Sequence, residues 1–266
     1  MHTAEKKELR LFQLAWPIFV SNILGILLGF IDVYVLSRVS DLASSAVSTA
    51  CQITSLCSLI FSVVCGATSI LVAQYLGRGD RERASQTGLL CILLNTSFGV
   101  VISAVVLVFH DAFLQMLGAQ GELFAMASAY LGILAWGIVL VAYQGAISSI
   151  LYSHGETRVS MYISASMGVL NLVLDMIMVL GLLGLPPMGV AGAAIATLIA
   201  KVVCSVLLTV VYFTRIESPA VFCCIRAIRM ADVKGIFALG VPSVFDSAKA
   251  AGYRNRQAPD VGQCCC

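Results

Sequence analysis

The sequence predicts an all-α integral membrane protein, a bundle of six transmembrane helices followed by the start of a seventh. Three observations predict it. Of 266 residues, 59% are hydrophobic and 11% charged, whereas soluble domains carry about 25% charged residues. The mean hydropathy of +0.96 agrees. The apolar residues gather into six runs, each long enough to cross a hydrocarbon core about 30 Å thick, which takes about 20 helical residues.

The six runs span roughly 11–37, 47–77, 84–109, 124–152, 159–185 and 189–214. Several exceed the minimum length, so tilt is expected. Their hydrophobicity is continuous and not alternating, which selects helices over a barrel. The first run is too long for a signal-peptide core and lacks a small-residue cleavage site, so it reads as a retained span.

Charge placement sets the orientation. Eleven lysines and arginines lie on one side of the spans: Lys6, Lys7 and Arg10; Arg78, Arg81 and Arg83; Arg158; Arg215, Arg226, Arg229 and Lys234. The links on the other side hold Arg38 alone. Positive residues stay on the cytoplasmic side. A multi-pass protein of the plasma membrane is therefore expected, with a cytoplasmic N-terminus. The net charge of +2 gives no reason to expect a nucleic-acid partner.

The chain divides into a lobe over 1–214, a cytoplasmic connector over 215–234, the start of a seventh helix over 235–245, and a polar tail over 246–266 that is expected to be disordered. Cys223 and Cys224 beside Arg226 form a weak palmitoylation pattern. The stretch Leu239-Gly240-Val241-Pro242 echoes Leu14-Ala15-Trp16-Pro17 at the start of span 1. After an even number of spans, a second copy would begin as a parallel repeat. The apolar run stops after Phe245, and the tail ends in Cys264-Cys265-Cys266, without the four-residue prenylation pattern. A lost reading frame or a cut gene inside a seventh span is the reading favoured here.

The other cysteines carry no chemistry by spacing. Cys51, Cys57, Cys65, Cys91 and Cys204 lie in apolar runs, where cysteine behaves as a small hydrophobe, and none is spaced with histidine as a metal ligand. His2, His110 and His154 fall at the terminus or in links. There is no phosphate-binding loop, zinc pair or nucleophile elbow, so neither an enzyme nor a resident cofactor is expected.

Three ionisable residues lie deep in the spans: Asp32, Asp175 and Lys201. A charge at the bilayer centre costs at least ~2.5–3.5 kcal/mol, so function is the default reading and a polar interhelical contact the bland one. Asp32 is five residues from the outer end of span 1, ~8 Å in; Asp175 is ten from the end of span 5, ~15 Å; Thr197 is eight into span 6, ~12 Å. Asn171, four residues before Asp175, shares its helix face. Two carboxylates, an amide oxygen and a hydroxyl in overlapping layers suit Na⁺ or shared protons. Lys201, one turn below Thr197, either neutralises an aspartate when the coupling cation has left or snorkels toward the cytoplasm. Pro17 reads equally as a first-turn proline or a hinge. Gly25 and Gly29 form a small-xxx-small face suited to close packing.

These stretches together resemble one family. Span 1 has Leu14-Ala15-Trp16-Pro17 and, fifteen residues after the proline, Asp32. The link after span 2 reads Gln74-Tyr75-Leu76-Gly77-Arg78-Gly79-Asp80, and the link after span 4 reads His154-Gly155-Glu156-Thr157-Arg158. Spans 5 and 6 supply Asn171-x-x-x-Asp175, Gly181, Pro187-Met188-Gly189-Val190 and Gly192-Ala193-Ala194-Ile195-Ala196-Thr197. In order and spacing, residues 9–245 resemble the N-terminal lobe of a prokaryotic multidrug-and-toxin-extrusion (MATE) antiporter. The resemblance implies one lobe of a twelve-helix transporter, exporting organic, often cationic compounds in exchange for H⁺ or Na⁺. It places cation coupling on Asp32, Asn171, Asp175 and Thr197, and helix bending on Pro17. Lys201 departs from the family pattern, and a drug pathway needs a second lobe or a homodimer of lobes. A flippase for lipid-linked sugars and an inactive truncated membrane protein are the rival readings.

Overall fold

The computed structural model describes residues 2–37, 40–181 and 188–216. They form six long helices: α1 (His2–Ser37), α2 (Asp41–Gly77), α3 (Arg81–Met116), α4 (Gly121–Ser153), α5 (Thr157–Leu180) and α6 (Gly189–Arg215). Each carries a stretch long and apolar enough to span a membrane, with mean hydropathies from 1.7 to 2.4. No strand occurs among the described residues. The connector beyond Ile216, the start of the seventh helix and the polar tail lie outside the described residues.

Local chemistry explains the helix ends. The hydroxyl of Ser40 accepts the backbone N–H of Leu42 at 3.2 Å and caps α2. Asp80 accepts the N–H of Arg83 at 3.1 Å and pairs with its guanidinium at 3.3 Å. Both meet donors that the first turn of a helix leaves unpaired. The sequence extends span 5 to residue 185, but α5 stops at Leu180. Gly181 adopts a left-handed φ of 71° there, the usual glycine terminator of a helix.

Helix α4 is the centre of the lobe and packs against α2, α3 and α6; α5 lies on α6, and α1 lies on α5 and more lightly on α2. Leu131, Ile147, Ile150 and Leu151 of α4 are fully enclosed. The outward faces are apolar too: Val108 is 71% exposed and Leu59 63%. A helix apolar on all sides belongs in a membrane. Among the described residues, the two arginine ion pairs, Arg83–Asp80 and Arg215–Glu156, and the His110–Asp111 contact lie near helix ends. The chain is thus a multi-pass membrane protein.

Two expectations about α1 change. Pro17 lies fifteen residues after His2, inside the helix, and is buried. A first-turn role is excluded, because mid-helix proline removes an intrahelical hydrogen bond. Gly25 and Gly29 have no neighbour within 4 Å of where a Cβ would stand. The close approach is made by Leu28, whose side chain lies against Gly168 of α5.

A tighter crossing joins α5 to α6. A Cβ on Gly192 would stand 2.8 Å from the carbonyl oxygen of Met178, which also accepts the N–H of Met188 at 3.1 Å. Backbone cannot rotate away as a side chain can. Gly192→Ala is expected to part the two helices and destabilise the lobe by ~1–3 kcal/mol. Thermal unfolding in detergent would read this as a lower midpoint, and an unchanged midpoint would refute the crossing.

Candidate functional site

The shortened α5 changes the depth of Asp175. Counted from Leu180, it is five residues from its helix end, just as Asp32 is five from Ser37. Both carboxyls therefore sit ~8 Å in, in one layer. Because α1 packs on α5, they meet: the two side chains lie at hydrogen-bonding range of each other. Asp175 is 2% exposed and Asp32 half-buried. The Oδ1 atoms of both are enclosed without a hydrogen-bond partner.

The other predicted residues close one side of this pair. Asn171, one turn below Asp175 on α5, donates its side-chain N–H to the Thr197 hydroxyl of α6 at 3.4 Å. The geometry thus brings Asp32, Asn171, Asp175 and Thr197 together from three helices. Their polar atoms are oxygens, apart from the amide nitrogen that Asn171 turns to Thr197.

Two further residues complete the site. Tyr130 of α4 is buried, and its hydroxyl lies at hydrogen-bonding range of Thr197 and of the Cys51 thiol on α2, within electrostatic reach of Asp175. Sequence reasoning missed both, because a tyrosine and a cysteine inside apolar runs read as ordinary core. The available signal was register. Tyr130 is nine residues into α4 and Thr197 eight into α6, two helices that run in the same direction.

Lys201 lies next to this group. Its backbone carbonyl accepts the side-chain N–H of Gln144 at 2.6 Å and the hydroxyl of Ser205 at 2.9 Å. Its side chain runs along Gly137 of α4, where a Cβ would stand 3.5 Å from Cδ and 3.7 Å from Nζ. No carboxylate among the described residues comes within 4 Å of its ammonium. Pro17 is far from this layer, fifteen residues before Asp32 on the same helix.

Chemically, two carboxyls in contact inside an apolar bundle cannot both stay charged without a counter-charge. The pair needs a proton shared between its oxygens or a cation beside them. The unpartnered Oδ1 atoms fit either demand, and the Tyr130 hydroxyl lies within electrostatic reach of Asp175. A second polar group, in which the Asn95 amide donates to Cys65 Sγ at 2.8 Å, ties α3 to α2 and acts as interhelical glue.

Comparison with known proteins adds to this geometry. Residues 17–177 match the family model described as MatE. The chain is 30% identical over 237 residues to the uncharacterized transporter YisQ of Bacillus subtilis, covering 89% of this chain and 52% of that protein. It is 29% identical over 216 residues to the probable multidrug resistance protein NorM of Thermotoga maritima, covering 80% and 46%. The chain spans about half the length of the curated relatives it matches. Among solved structures, a multidrug resistance MATE family transporter of the MOP superfamily in its outward-facing conformation superposes with a TM-score of 0.76 at 23% identity, over 88% of this chain and 51% of that one.

Proposed function

The chain belongs to the MatE family, and on that premise we propose that it forms the ion-coupling lobe of an antiporter that exports organic, mainly cationic compounds in exchange for H⁺ or Na⁺. The observation that carries this reading is the contact between Asp32 and Asp175, two carboxyls whose buried oxygens lack partners in an otherwise apolar bundle. The lobe lies in the plasma membrane with its N-terminus in the cytoplasm, as the eleven-to-one bias of basic residues directs.

The cation comes from outside, down its gradient. At Asp32 and Asp175 it neutralises the pair, with Asn171, Thr197 and Tyr130 orienting the oxygens. A neutral pair tolerates close packing of α1 on α5, and a charged pair does not. The two charge states thus favour two packings, and each ligand biases the equilibrium by its differential affinity. Pro17, inside α1, supplies the point where that helix bends. Substrate binds between this lobe and a second one, contributed by further chain or by a second copy.

The test is export of a fluorescent organic cation by cells expressing the full-length protein. Asp32→Asn and Asp175→Asn are each expected to reduce gradient-driven export strongly while leaving the protein in the membrane. Export at the wild-type rate in both variants would remove the carboxylate pair from the mechanism.

A further inference from the structure

Titratable groups from five helices form a chain of neighbours: Asp32 of α1 meets Asp175 of α5, Asp175 lies within electrostatic reach of Tyr130 of α4, and Tyr130 and Lys201 of α6 both lie within reach of Cys51 of α2. Four of these belong to the site already described. Lys201 is the one whose sign is opposite. The other basic residues with described side chains, Arg78, Arg81, Arg83, Arg158 and Arg215, lie at helix ends or in links, where water reaches them. Lys201 alone among them is held within an apolar stretch.

Its direction follows from two contacts with α4. The Lys201 carbonyl lies against Gln144, and its ammonium lies against Gly137. Gly137 is seven residues, or ~10 Å, nearer the N-terminal end of α4 than Gln144. The side chain therefore points along α4 toward Tyr130, and away from the helix end where the links are basic. It does not snorkel toward that end. This is also the direction a helical side chain takes by default, since Cα–Cβ bonds tilt toward the helix N-terminus. Gly137 leaves the space that the stem occupies. At the far end of this path Lys201 and Tyr130 both come within electrostatic range of Cys51, and Tyr130 in turn reaches Asp175.

We infer that Lys201 is a tethered cation of the Asp32–Asp175 site, offsetting one carboxylate charge from inside the lobe and thereby setting how tightly the site holds a free inorganic cation. The inference rests on the antiport reading and deepens it. A Na⁺ ion arriving at the pair is repelled by the Lys201 ammonium through the bundle interior, where repulsion between like charges is weakly screened. Lys201 is a specificity-determining residue on this account. It weakens inorganic cation binding without touching the ion, and it leaves the oxygen cage unchanged.

The experiment is a Na⁺ titration of the purified full-length protein, with choline chloride holding ionic strength constant. It is read by radioactive Na⁺ binding and by the shift of the thermal unfolding midpoint. Wild type is expected to bind Na⁺ weakly. Lys201→Met and Lys201→Gln, which remove the charge with a long and a polar side chain, are expected to bind it about tenfold more tightly, the scale of one like charge ~12 Å away at an effective dielectric of ~20. Lys201→Arg keeps the charge and is expected to stay weak. Adding Asp175→Asn to Lys201→Met should abolish the gain, placing it at the pair. Equal Na⁺ affinity in wild type and the neutral variants overturns the inference, and so does a gain shared by Lys201→Arg. If those affinities are equal while Asp175→Asn still cuts export strongly, the tethered cation falls and antiport stands. If Asp175→Asn leaves export intact, antiport itself falls.

Discussion

Asp175→Asn is expected to reduce ion-driven substrate exchange by ~100-fold, and Asp32→Asn by somewhat less. Asparagine has nearly the shape of aspartate, so the packing of α1 on α5 survives and the change removes charge alone. The ranking follows from burial. Asp175 is 2% exposed, beneath the α5–α6 crossing, while Asp32 is half-buried on a helix whose outward side is open. Coupling between two sites is worth up to ~3 kcal/mol, and each ~1.4 kcal/mol is a factor of ten. Export assays in whole cells and exchange in proteoliposomes should give the same order. Equal rates for Asp175→Asn and wild type would show that Asp175 is a structural residue.

The same pair should make the lobe less stable than it needs to be. The two carboxyls meet each other, and both Oδ1 atoms are enclosed and unpaired. The double substitution Asp32→Leu with Asp175→Leu therefore strands no partner and fills the site with side chains of similar size. Replacing buried charged groups by well-packed apolar ones stabilises by ~1–4 kcal/mol where no partner is left behind. The double variant is expected to unfold at a higher temperature in detergent and to transport nothing. That combination is the trade between stability and activity that a site built for function predicts. A lower unfolding temperature would mean that the carboxyls hold α1 to α5, and are structural.

Much of this site was legible in the sequence because charge in an apolar run is rare. Asp32, Asp175 and Lys201 stood out on those grounds, and Asn171 and Thr197 followed from helical spacing and family resemblance. The depth of Asp175 was not legible. Leu182-Leu183-Gly184-Leu185 continues the hydropathy of span 5, and nothing in hydropathy marks Gly181 as the residue whose left-handed conformation ends α5. Glycines inside membrane helices are common, so they do not announce an end. Counting from residue 185 put Asp175 ten residues from its helix end; counting from Leu180 puts it five in, level with Asp32.

The α1 contact was misread for a related reason. Gly25 and Gly29 have the spacing of a packing face, but close packing needs a small residue on one helix and a bulky one on the other. Here the small residue is Gly168 and the bulky one Leu28. A single-helix pattern cannot reveal which partner supplies the gap. Tyr130 and Cys51 stayed hidden because buried tyrosine and cysteine are common in apolar cores; their role comes from three helices meeting at one depth.

The central claim is that movement of ion and substrate is coupled at the Asp32–Asp175 pair. It is tested most directly in proteoliposomes holding the full-length protein, by imposing a substrate gradient and recording the counter-flow of H⁺ and Na⁺ with wild type and Asp175→Asn. The account predicts substrate-driven cation counter-flow in wild type and almost none in the variant. Undiminished counter-flow through Asp175→Asn would contradict it.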